Sequence, residues 1–133
     1  MSAAGARGFA QIMPATFSEL RTRMFLPPGT DPYGLIVIDM GAFYQAQRIA
    51  GWTWRRPLEE QYWLGAASYN AGFGNILKAQ KLSGGERYWR NISPCLPAIT
   101  GQNAAETIAY VERIERWWSE MCGTKPFCKP GDM

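Results

Sequence analysis

The stretch Gly5-Ala6-Arg7-Gly8-Phe9-Ala10-Gln11-Ile12-Met13-Pro14-Ala15-Thr16 organises the reading of this chain. Two glycines three positions apart let the backbone turn tightly and come close to a bulky ligand. A short apolar run follows and carries Gln11, whose amide both donates and accepts hydrogen bonds. Pro14 ends the run with a fixed φ and no N–H, both suited to the first position of a helix. As local physics the string is a tight turn, a polar finger and a helix start.

Helical signals continue outward from it. Phe17, Leu20 and Met24 recur on one face of the helix that Pro14 opens, which should stop before Pro27-Pro28-Gly29. Asp31-Pro32 reads as an N-cap with proline at the first helical position. The helix it predicts carries Ile36, Met40, Phe43 and Gln47 and ends near Gly51. Pro57-Leu58-Glu59-Glu60 starts a third helix, with carboxylates where the helix dipole favours them, running through Tyr62 and Trp63 towards Tyr69. Gly72-Phe73-Gly74 breaks the chain, and a short helix is expected from about Asn75 to Lys81. Glu86 to Asn91 reads as a further helical turn, and Ser93 to Gly101, with Pro94 and Pro97, as extended and irregular. A last helix from about Ala104 to Met121 aligns Ile108, Val111, Ile114 and Trp118. No segment sustains period-two alternation, so the class is all-α with at most a minor hairpin.

The 133 residues predict a single domain, 1–133, of ordinary globular composition. Six each of Trp, Tyr and Phe supply the core and leave aromatic faces for stacking on a sugar ring. The net charge of +3 is mild, and no Lys/Arg block points to nucleic acid. With no histidine, His-based triads and the commonest metal ligand are excluded, and three cysteines alone make poor zinc chemistry, so neither a metal nor a cofactor is expected. Cys122 and Cys128 could close a small C-terminal loop, or Cys95 could pair with either; free thiols are the other option. No run reaches membrane-spanning length, so no membrane span is expected.

Two more strings carry chemistry. In Ala66-Ala67-Ser68-Tyr69-Asn70-Ala71-Gly72, Tyr69 offers a rigid ring with a hydroxyl and Asn70 offers amide donors and an acceptor. That pair suits a pocket wall facing an N-acetylated sugar, although Asn and Gly are also ordinary helix-end residues. In Glu106-Thr107-Ile108-Ala109-Tyr110-Val111, Glu106 and Tyr110 stand at i and i+4 and share a helix face.

In this order the three strings resemble the second, third and fourth motifs of the lytic transglycosylase/goose-type lysozyme family, G-A-x-G-L-M-Q-I-M-P, A-Y-N-A-G and E-T-x-x-Y-V. Asp31-Pro32 and the helix leading to Tyr44 resemble its D-P-x-x-N-I-x-x-G-x-x-Y-L segment, with the Asn replaced near Leu35, Ile36 and Val37. Phe9-Ala10 replaces the more usual Leu-Met. The resemblance implies an all-α, lysozyme-like domain acting on the glycan strands of peptidoglycan, in the periplasm or at the cell wall, and it leaves bacterial or phage origin open. It implies that Ser2, Gln11, Met13, Tyr69 and Asn70 contact substrate. Glu106 and Tyr110 would assist catalysis near the site where the product ring closes.

The family cleaves the β-1,4 bond between N-acetylmuramic acid and N-acetylglucosamine with one glutamate, leaving a 1,6-anhydro end. That acid lies in an E-S motif roughly nine residues before the serine matched by Ser2. On this spacing its position falls ahead of residue 1, and none of the eight glutamates of the chain occupies it. The expectation is therefore a chain without that acid, in a domain that could lack its first helix, whose place a partner segment would fill. The alternatives are a glycan-binding module without catalysis, a replacement acid such as Glu106, or a hydrolysing muramidase. The other seven glutamates are expected on solvated helix faces.

Overall fold

The computed structural model describes residues 11–52 and 55–122. Among them the regular elements are all helical. The chain divides into two compact units, Met1–Ala46 and Gln47–Met133, each with its own apolar cluster.

In the first unit, α1 spans Pro14–Arg23, with Pro14 at its first turn and an extended Met13 at its cap. Its end closes on Phe25, at φ 55, and the Leu26 N–H reaches the Arg21 carbonyl at 2.9 Å. That six-residue closure usually takes glycine at the left-handed position. The stripe read from the sequence is the one that packs: Leu20 is buried, with Phe17 and Met24 against it. Ile12, Val37 and Met40 complete the cluster, and Leu26, Ile36 and Tyr44 flank it.

Asp31 does not cap the second helix. Its Oδ1 accepts the Tyr33 N–H at 2.9 Å, and its carbonyl accepts the Gly34 N–H at 3.1 Å. An aspartate that satisfies the backbone two residues on forms a closed turn in place of a helix start. Accordingly α2 begins only at Ile36 and runs Ile36–Ala50.

The second unit is built on α3 (Leu58–Ala71), α4 (Phe73–Leu82) and α7 (Asn103–Cys122). Helix α3 packs on α7 and α4, and the shorter α5 (Trp89–Ile92) and α6 (Pro97–Thr100) close the bundle. The buried core includes Trp52, Leu64, Ala67, Ile76, Leu96 and Val111. Gly65 lets the end of α2 approach closely, because a Cβ there would lie 2.5 Å from Ile49 Cγ1. The predicted stripe of α7 holds: Val111 is buried, Ile108 and Ile114 pack on the core, and Trp118 stacks on Tyr62 with centroids 5.5 Å apart.

Two further boundaries differ from expectation. Helix α4 starts at Phe73 and not near Asn75, because Gly72, at φ 91, completes the turn in one residue. Ser93 to Gly101 is not extended: it forms a 3-10 turn, Ser93–Cys95, and then α6. Pro94 and Pro97 fall in the first turns of these pieces, where a missing N–H costs nothing. Cys95 is a free thiol packed against the core; the Cys122 side chain and Cys128 lie outside the described residues. Among the described residues no helix is long and apolar enough to cross a membrane.

Candidate functional site

The second and third strings meet where α3 ends and α7 begins. Thr107, buried, donates its hydroxyl to Asn70 Oδ1 at 2.7 Å. The same hydroxyl lies 3.3 Å from the Asn103 carbonyl, so the shorter bond takes the proton. Thr107 thereby occupies one acceptor position of the Asn70 amide, on an exposed residue.

Thr107 carried no role in the sequence reading, yet a signal was there. It lies three residues after Ala104 and four before Val111, both buried, and so is a polar side chain on an apolar stripe. Such a group requires a partner. Ser68 is the same case on α3: it is fully buried, and its hydroxyl accepts the Trp52 indole N–H at 2.9 Å. Trp52 in turn tilts against Phe73, with centroids 5.0 Å apart, so this bond sits beneath the Gly72 turn that follows Asn70.

Tyr69 and Tyr110 are half-buried. Burial raises the Tyr110 phenol above its ordinary value, against the pull of Arg113, which keeps it a neutral hydroxyl at physiological pH. Glu106 is exposed in the first turn of α7. Gln11, at φ 49, is exposed, as is Met13 at the cap of α1; both belong to the first unit, whereas Tyr69, Asn70, Glu106 and Tyr110 belong to the second. Ser2 and the Gly5 to Ala10 turn lie outside the described residues.

Two glutamates expected on solvated faces are half-buried. Glu60 Oε2 accepts the Trp89 N–H at 2.7 Å and so caps α5. Glu115 is pushed up from its ordinary value by burial first, then by Glu60 and Glu112. Eight residues separate it from Thr107, about 12 Å along the helix at 1.5 Å per residue, on the side of α7 that meets the start of α3. Its raised proton affinity is thus a product of helix packing. Among the described residues no group of three His, Cys, Asp or Glu side chains could hold a metal ion.

A family model described as Transglycosylase SLT domain matches residues 1–92. The match takes in Gln11, Met13, Tyr69 and Asn70 and stops short of Glu106 and Tyr110. The chain is similar to Membrane-bound lytic murein transglycosylase F of Serratia proteamaculans, 27% identical over 137 residues, covering 92% of this chain and 27% of the relative. A protein of the same name from Photobacterium profundum is 25% identical over 138 residues, covering 92% and 26%. Another, from Actinobacillus pleuropneumoniae serotype 3, is 29% identical over 80 residues, covering 49% and 17%. The chain thus spans about a quarter, or less, of the length of these curated relatives. No solved structure matches it.

Proposed function

Because this chain belongs to the Transglycosylase SLT domain family, with that family's all-α, lysozyme-like fold, we propose that it acts on peptidoglycan as a lytic transglycosylase. The bond cut is the β-1,4 link between N-acetylmuramic acid and N-acetylglucosamine. The muramic C6 hydroxyl attacks C1, the C1–O4 bond breaks, O4 gains a proton and the C6 oxygen loses one. A 1,6-anhydro ring forms without water. The observation that carries this reading is the family match across the first and second motif strings. The 2.7 Å bond that ties the second string to the third supports it.

The described residues suit substrate positioning. The NH2 of Asn70 would donate to a sugar acetamide carbonyl, and the neutral phenol of Tyr110 would donate without carrying charge. Tyr69 offers a ring edge and hydroxyl on the same helix end, and Gln11, Met13 and Ser2 are assigned to substrate contact on the resemblance. The general acid requires a carboxyl enclosed in an apolar, partly dry pocket. Glu106 is exposed, and Glu115 sits towards the far end of α3, so neither is assigned that role. Action at the wall, on the periplasmic or outer side, follows from the substrate.

The test is incubation with purified peptidoglycan and mass spectrometry of the soluble products. Fragments ending in 1,6-anhydromuramic acid support the reading, and reducing ends would make the protein a muramidase. Binding to the sacculus with no fragment released would make it a glycan-binding module.

A further inference from the structure

At the opposite end of α3 from Asn70, two loops hold arginines against each other. Arg56 Nε donates to the Arg87 carbonyl at 3.1 Å and its Nη1 to the Trp52 carbonyl at 3.2 Å. Its guanidinium also lies over the Trp52 ring, 5.2 Å from the centroid. Arg87 Nη1 reaches back to the Arg55 carbonyl at 3.4 Å. Arg55 adopts φ 40, an uncommon left-handed conformation for a residue with a long side chain. Each loop therefore fixes the other's arginine through a backbone oxygen.

None of these bonds neutralises charge. Among the described residues neither Arg56 nor Arg87 makes an ion pair. The acid that acts on Arg56 is Glu60, one turn along α3, and its Oε2 is already engaged by the Trp89 N–H. Burial and the neighbouring Arg87 pull the Arg56 guanidinium below its ordinary value in spite of Glu60. Two guanidinium groups are thus held close together with donors left over on Arg56 Nη2 and on Arg87 Nε and Nη2. A planar anion beside them would relieve the repulsion that Arg87 exerts on Arg56 and could accept from the remaining guanidinium donors.

We propose that Arg56 and Arg87 form a binding site for a carboxylate group, carried by the peptide branches of the wall polymer. The proposal rests on the peptidoglycan reading given above. Arg56 lies two residues before α3, and the eleven residue steps from Leu58 to Tyr69 rise about 16 Å along the helix axis. The site is therefore well separated from the sugar-contact end, at a distance suited to a branch that projects away from the glycan.

The experiment is an NMR titration following the arginine side-chain Nε–Hε signals of the full chain. The probes are a γ-glutamyl tripeptide with free carboxylates, the same peptide with its carboxylates amidated, and inorganic phosphate. Saturable shifts at Arg56 and Arg87 are expected with the free-acid peptide, at least tenfold weaker binding with the amidated one, and weaker binding with phosphate. Arg87→Gln, at an exposed side chain, and Arg56→Lys, which keeps the charge and loses the fork, should each weaken binding at least fivefold, with the backbone spectrum reporting the fold. Equal response to the amidated peptide, or unchanged affinity in both variants, overturns the proposal. Phosphate binding as tight as the free acid would also overturn it, in favour of a phosphate site. The titration contains no glycan. Saturation here with no fragments released from sacculi would therefore defeat only the peptidoglycan-cleaving reading.

Discussion

The Thr107 hydroxyl stands 2.7 Å from Asn70 Oδ1 and joins two motif strings that lie 37 residues apart in the chain. Asn70 is exposed and Thr107 is buried, so the bond passes from the core to the surface of the candidate site. Its consequence is that the amide of Asn70, at the end of α3, is tied through its oxygen to the start of α7. Thr107→Val removes the donor with little change of shape and should cost about 1 kcal/mol of stability. The apparent KM for glycan should rise by more than that loss explains, while Thr107→Ser keeps both properties near wild type. Thermal unfolding and initial-rate assays on sacculi together check this.

The Trp52–Ser68 pair is a second buried bond, and it supports the turn after Asn70 from below. Ser68→Ala leaves the indole N–H without its acceptor, and Trp52→Phe leaves the hydroxyl without its donor. Each is expected to destabilise the protein by about 1–3 kcal/mol. Because both act on one bond, the double variant should lose less than the sum of the two, with a coupling of about 1 kcal/mol. Urea unfolding of the four proteins measures it, and strict additivity would mean the bond contributes nothing.

Two glycines in helices should respond oppositely to alanine. At Gly65 the new Cβ meets Ile49 Cγ1 at 2.5 Å and Ile49 Cα at 2.9 Å, and backbone cannot give way cheaply. A loss of about 1–3 kcal/mol is expected from this overpacking. At Gly74, within α4, a Cβ meets nothing within 4 Å. Gly74→Ala should therefore gain roughly 0.5–1 kcal/mol from helix propensity. Melting temperatures of the two variants decide the pair of predictions.

Glu115 sets a pH dependence with a definite sign. Its carboxyl is pushed up in the folded protein, so the native state holds a proton that the unfolded chain releases. The resulting stabilisation is complete below the unfolded value and is lost as pH rises through the folded one. Above that point the charged group is a net cost next to Glu60 and Glu112. Glu115→Gln should stabilise the protein at neutral pH by less than about 1 kcal/mol, since water screens a partly exposed group. The gain should vanish when unfolding is followed at pH values below the ordinary carboxylate range.

Glu106 and Tyr110 separate positioning from proton transfer. Glu106→Gln should lower the rate of fragment release by no more than about tenfold, because an exposed carboxylate lacks the enclosure a general acid needs. A loss of a thousandfold or more would make Glu106 the acid. Tyr110→Phe should act mainly on KM, consistent with a neutral hydroxyl that binds substrate. Product analysis by mass spectrometry shows whether the remaining products still carry anhydro ends.

Much of the helical architecture was legible in the sequence because it depends on near neighbours. Pro14 announces α1, the Phe17, Leu20 and Met24 stripe finds its core, and the α7 stripe packs as its periodicity requires. The misread boundaries have local causes too. Asp31 chose the backbone two residues on in preference to a helix cap, and two prolines opened short helical turns instead of an extended, irregular segment.

By itself the sequence determined the helical class and the family, because periodicity and turn chemistry act over a few residues and the family motifs are short strings. Only the tertiary structure decided that Asn70 is bound by Thr107, that Ser68 receives the Trp52 N–H, and that Glu60 and Glu115 are drawn out of water. It alone also set Arg56 against Arg87. Those relationships join residues 16 to 37 positions apart in the hydrogen-bonded pairs, and further apart for the two glutamates. They exist because burying an apolar helix face carries its polar neighbours with it, and each buried polar group must then find a partner wherever the packing has placed one.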